Sequence, residues 1–135
     1  MKKNLKIEKE IKLMFSSMAK AYQNHDVDTT MSFFSEKADV MLIDSALPDK
    51  VVGRKKIESL FKKIFSGFKS TKMKVSEITV FSENNHALAY AKCNIETIKS
   101  GKKIKVAGAH WTVIFEKLND RWKIIYSHFS GSTTE

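Results

Sequence analysis

The sequence predicts an α+β domain in which helices pack on one face of a curved antiparallel sheet. Three observations carry that prediction. In the first half of the chain apolar residues recur at spacings of three and four, the period of an amphipathic helix. From Thr71 onward this period disappears, and runs rich in β-branched and aromatic residues follow. Those runs are separated by Asn84-Asn85, Ser100-Gly101-Lys102 and Asn119-Asp120, all turn-forming combinations.

Residues from about Lys3 to Asn24 place Ile7, Ile11, Met14, Phe15, Met18 and Tyr22 on one helical face and Lys6, Lys9, Lys12 and Lys20 on the other. Asp26 is positioned to cap a second, short helix that reaches about Ser35 and turns Val27, Met31 and Phe34 inward. The segment Ala38 to Asp44 reads as a strand, and Ser45 to Lys50 breaks it. After Val51-Val52-Gly53 a third helix presents Ile57, Leu60, Phe61, Ile64, Phe65 and Phe68, with Gly67 near its end. Four strands follow over about 71–82, 86–99, 103–118 and 121–131.

The 135 residues form one expected domain, residues 1–135, with 42% apolar residues and a single proline. No apolar run has the length of about 20 residues that crosses a bilayer, and Glu8 and Glu10 interrupt the N-terminal segment, so a cytoplasmic protein without membrane association is expected. Cys93, the one cysteine, reads as a reduced, packed side chain. The net charge of +9 raises the question of an anionic partner. However, only Arg54 and Arg121 supply guanidinium groups, so a solvated lysine-rich surface is expected and nucleic-acid binding is not. The four histidines lack metal-ligand spacing, the glycines are scattered and Ser130 lacks a nucleophile-elbow context, so no metal, cofactor or serine nucleophile is expected.

The terminal hairpin is apolar on both faces. His110, Thr112 and Ile114 alternate with Trp111, Val113 and Phe115, and Trp122, Ile124, Tyr126 and His128 alternate with Ile125 and Phe129. With one face on the helices, the row Trp111, Phe115, Ile125 and Phe129 is expected outside, as the interface of a homodimer.

Three segments resemble the nuclear-transport-factor-2-like superfamily, which includes ketosteroid isomerase, polyketide cyclases related to SnoaL and the association domain of calmodulin-dependent kinase. They are Asn24-His25-Asp26-Val27-Asp28 with Met31-Ser32-Phe33-Phe34, Val52-Gly53-Arg54-Lys55-Lys56-Ile57, and Thr112 with Trp122 to Gly131. The resemblance implies a cone-shaped sheet wrapped around a pocket, three helices in the N-terminal half and commonly a dimer. It implies no single activity. In its strand phase, which requires an odd-numbered hairpin loop with a bulge, His110, Thr112, Ile114, Trp122, Ile124, Tyr126, His128 and Ser130 face the cavity, Asp44 lies near the mouth and Trp122 closes the base; an even loop would instead set Trp111 beside His128.

A steroid-type isomerase needs a tyrosine, a carboxylate base and a protonated carboxylic acid. By resemblance these positions fall near Met18, near Leu42, and near His110 or Trp111. Tyr22 and Asp44 are the nearest stand-ins, and the set is incomplete. The sequence therefore points to a small-molecule-binding domain, with Met18, Tyr22, Phe34, Leu42, Thr112, Ile114, Trp122, Ile124, Tyr126 and Ser130 as candidate ligand contacts. An isomerase, cyclase or dehydratase with His128 or His110 as general base and Asp44 or Tyr22 assisting is the alternative, and a dimerisation or assembly module is another.

Overall fold

The computed structural model describes residues 1–37 and 39–134. Helix α1 (Leu5–Gln23) begins where the side chain of Asn4 accepts the backbone N–H of Ile7 at 3.1 Å. Its inward stripe buries Ile11, Phe15 and Met18, whereas Leu13 on the opposite face is 69% exposed. Asn24 and His25, the latter with φ 53°, turn the chain into helix α2 (Val27–Ser32). Asp26 caps α2 by accepting both the backbone N–H of Thr29 (3.0 Å) and its hydroxyl (2.6 Å).

Helix α2 stops short of Ser35 because its next residues pair with the sheet. Ile124 donates its N–H to the Phe33 carbonyl at 2.7 Å, and Ser35 donates to Ile124 at 2.8 Å. Strand β1 (Met41–Asp44) follows; its expected start at Ala38 lies outside the described residues. A short β2 (Val51–Val52) pairs back on β1 and leads to Gly53, whose φ of 93° is a conformation that favours glycine. Gly53 then opens helix α3 (Arg54–Gly67), which buries Ile57 and Phe65.

Strands β3 (Phe68–Glu83), β4 (His86–Lys99), β5 (Lys102–Leu118) and β6 (Arg121–Ser130) form the expected meander, and β7 (Thr133–Thr134) adds a short partner to β5. The sheet runs β2-β1-β6-β5-β4-β3 and does not close, because β2 and β3 are its edges. One expectation is corrected: the sheet is mixed, since β1 runs parallel to β6. That pair joins segments far apart in sequence, so no hairpin turn imposes the antiparallel direction. Register shifts in the β3–β4, β4–β5 and β5–β6 pairs bend the meander toward the helices. The concave face receives α1, where the Phe15 ring meets Trp111 edge-on at 5.0 Å and Phe115 at 6.1 Å.

The last hairpin explains a second correction. Asn119 and Asp120 form a two-residue loop, both with positive φ, and Leu118 faces Arg121 across it. Ile125 is then an extra residue on β6: Phe115 pairs with Ile124 and Ile114 with Tyr126. Thr112 lies opposite His128, but the face is the reverse of the expected one. Trp111, Val113 and Phe115 are buried inside, and His110, Thr112, Ile114, Tyr126, His128 and Ser130 lie on the convex face. The row expected to form an outer apolar patch is therefore mostly core.

Away from the concave face, Glu116 on β5 ties two segments together. It forms an ion pair with Lys37 at 2.6 Å and faces His86 at 3.2 Å. The hydrogen bond from Lys37 comes first in holding its carboxyl below the usual carboxylate value, with His86 adding to it. A depressed carboxylate contributes stability above its unfolded pKa, and that contribution is lost as pH falls through the folded one. Glu116→Gln is thus expected to lower the denaturation midpoint at pH 7 and to have a clearly smaller effect at pH 3, measured by urea titration at both values.

Candidate functional site

Between the concave sheet and the three helices lies a cavity of about 90 Å³. Helix α1 contributes Met18 and Tyr22, the α2 region Thr30, Phe33 and Phe34, and α3 Leu60, Phe61 and Ile64. The sheet supplies Leu42, Asp44, Met73, Ile95, Trp111, Ile124, Ser127 and Phe129. The volume holds several waters or a compact organic molecule. The walls are mostly apolar and aromatic, with few polar groups, which is the composition of a ligand site.

Each polar group has a distinct state. Tyr22 is packed edge-on against Phe65 at 5.2 Å, and its burial, reinforced by the Asp44 carboxylate, pushes the phenol well above its ordinary pKa. It is a proton-bearing donor at neutral pH. Ser127 is buried and its Oγ accepts the indole N–H of Trp111 at 3.0 Å. Thr30 is 8% exposed, and its Oγ1 has no hydrogen-bond partner among the described residues. Asp44 sits at the end of β1, where its Oδ1 accepts the N–H of Ala46 at 2.8 Å. The adjoining Ser45 is tied to the end of β6, because its hydroxyl donates to the Gly131 carbonyl at 2.9 Å and its N–H donates to Phe129 at 3.0 Å.

Of the candidates read from the sequence, Met18, Tyr22, Phe34, Leu42, Asp44 and Ile124 line this cavity. Trp122 is buried but is not part of the lining, and its indole N–H is donated to Glu10 at 2.6 Å. His110, Thr112, Ile114, Tyr126, His128 and Ser130 stand on the other side of the sheet, as the reversed hairpin phase requires. No histidine lines the cavity among the described residues, so a pocket histidine acting as base has no side chain to carry it there. Tyrosine–histidine pairs do form, but outside: Tyr90 to His110 at 2.6 Å and Tyr126 to His128 at 3.3 Å. Sequence reasoning missed Thr30, Phe33, Met73, Ile95, Trp111, Ser127 and Phe129 as lining residues. Leu60, Phe61 and Ile64 were legible as an inward helix face, though not as a pocket wall.

The model of the SnoaL-like domain family matches residues 11–134. The chain belongs to that family. No curated protein matches the sequence significantly. Among solved structures, the SnoaL-like domain is similar to a proposed scytalone dehydratase from Novosphingobium aromaticivorans, with a TM-score of 0.87, 16% identity and coverage of 97% of this chain and 88% of that one. It is also similar to a hexachlorocyclohexane dehydrochlorinase, with a TM-score of 0.83, 12% identity and coverage of 96% and 88%. A third neighbour is a proposed calcium/calmodulin-dependent kinase II association domain from Xanthomonas campestris, with a TM-score of 0.78, 21% identity and coverage of 91% and 86%. At these identities the likeness establishes the fold of the SnoaL-like domain, and the three descriptions differ in activity.

The positions that the isomerase resemblance singles out do converge in this SnoaL-like domain. Met18, Leu42 and Trp111 line the cavity with Tyr22 and Asp44, whereas His110, the other residue named for the third position, lies on the convex face, and the first three carry no proton-transfer group. Among the described residues no three His, Cys, Asp or Glu side chains gather as a metal site. No helix of the described residues is long and apolar enough to cross a membrane.

Proposed function

We propose that this SnoaL-like domain binds a compact, largely apolar small molecule in the cavity, with Tyr22, Thr30 and Asp44 meeting its polar atoms. The observation that carries this reading is Thr30, a residue of the cavity wall whose buried hydroxyl has no hydrogen-bond partner among the described residues. A buried polar group left unsatisfied costs about 1–3 kcal/mol, and a ligand atom accepting or donating there recovers it. Thr30→Val keeps the shape and removes the hydroxyl. It is expected to raise the stability of the ligand-free protein by up to about 1 kcal/mol while weakening ligands found by a thermal-shift screen. A variant that loses stability and binds those ligands as tightly as the natural protein contradicts the reading.

A homodimer through the convex sheet face belongs to the same proposal, as does a cytoplasmic location, which the single buried Cys93 supports. The convex face presents half-buried Met41, Ile43, Tyr90, Ile114 and Tyr126 around Thr112 and His128, side by side across four paired strands. Such a mixed aromatic and apolar surface is what a second copy covers. Sedimentation velocity at micromolar concentration is expected to show a dimer, and Ile114→Lys, a charge at the centre of the face, to yield a monomer of unchanged secondary structure.

A further inference from the structure

We propose that the cavity selects organic cations, namely an ammonium group on a small apolar or aromatic body. This rests on the cavity being a ligand site and names the class of ligand it takes. The surface of the protein carries a net charge of +9, but the cavity has the opposite character. Among the described residues Asp44 is the one acidic side chain that lines it, and no lysine, arginine or histidine does.

The basic group nearest in sequence logic, Arg54, is committed elsewhere. Its Nη1 donates to the carbonyls of Met31 and Phe34 at 2.9 and 2.7 Å, behind the cavity wall rather than into it. Asp44 itself joins no ion pair between described residues, and the one hydrogen bond recorded for its side chain there is at Oδ1, from the N–H of Ala46 at 2.8 Å.

The rest of the wall reinforces the sign. Tyr22, Phe33, Phe34, Phe61, Trp111 and Phe129 all border the space. The faces of aromatic rings carry negative potential, so they attract cations and repel anions, and the effect grows as water is excluded. A cation entering this space gains from the rings and from Asp44 together, and its N–H groups meet an acceptor in the Asp44 side chain. A neutral ligand gains only by burial, and an anion is opposed by both.

Isothermal titration of the full chain with benzylammonium, benzyl alcohol and benzoate at neutral pH tests this, because the three share a ring and differ in charge. Benzylammonium is expected to bind about tenfold or more tightly than benzyl alcohol, and benzoate not at all. Asp44→Asn, which keeps the Oδ1 acceptor for Ala46, is expected to bring benzylammonium down to the affinity of benzyl alcohol. Benzyl alcohol or benzoate binding as well as benzylammonium overturns the cation inference and leaves the cavity as a ligand site. A preference that survives Asp44→Asn also overturns it. Failure of all three compounds, together with no hit in the thermal-shift screen, removes the ligand-site reading and this inference with it.

Discussion

Phe15→Ala is expected to lower the free energy of unfolding by about 3–5 kcal/mol, the range for deleting a fully buried aromatic side chain. Phe15 has no exposed surface, and its ring is held edge-on between Trp111 and Phe115 at 5.0 and 6.1 Å. The deletion therefore removes apolar burial, leaves a void where α1 meets the concave sheet, and breaks two aromatic contacts. A domain of this size has about 5–15 kcal/mol in total, so a large share of its stability depends on this one ring. Urea denaturation followed by circular dichroism measures the loss. Leu13→Ala on the solvent face of the same helix is the control, expected within about 0.5 kcal/mol. Equal effects at the two positions would refute the packing described for α1.

Arg54→Ala is expected to cost about 3 kcal/mol, whereas Lys55→Ala and Lys56→Ala each change stability by less than about 0.5 kcal/mol. In the sequence the three residues are one basic run; in the structure only the first is structural. Its guanidinium reaches the carbonyls of Met31, Phe34 and Ser35, closing the end of α2 and the turn toward β1. Removing it leaves carbonyl groups at that end without their charged donor and frees the segment carrying Phe33 and Phe34. Those rings form one wall of the cavity, so ligand affinity should fall with stability. Because these bonds are partly buried, the loss should persist at 0.5 M salt, unlike that of a surface charge. An Arg54→Ala protein as stable as Lys55→Ala would show that the guanidinium is not holding this turn.

Much of this architecture was legible in the residues. The apolar spacing of Ile11, Phe15 and Met18 and the turn pairs Asn84-Asn85 and Asn119-Asp120 report local preferences, and the helices and hairpins appear where those preferences place them. Tyr22 and Phe34 fall on inward helix faces legible from their spacing, whereas Leu42 and Asp44 could be assigned to the cavity only through the family resemblance. The convex and concave faces of the last hairpin could not be told apart in this way. Both rows carry aromatic and β-branched residues, so hydrophobicity alone does not choose between them. Nor does any local signal mark Thr30 as a cavity residue, since its buried hydroxyl is defined by what surrounds it in space.

The sequence by itself determined the class of the domain, the order of its three helices and five longer strands but not the short β2 and β7, the positions of the meander turns and the inward faces of α1 and α3. These depend on side-chain period and backbone preference, which act over a few residues. Only the tertiary structure decided that Trp111 and Phe129 look into the cavity while His110 and His128 look out, and that β1 runs parallel to β6. The reason is that strand side chains alternate with a period of two, so one unpaired residue, Ile125, is enough to exchange the faces beyond it. Whether that residue bulges is settled by how Phe15, Trp111 and Phe115 pack across the core, a contact between segments that no local pattern connects.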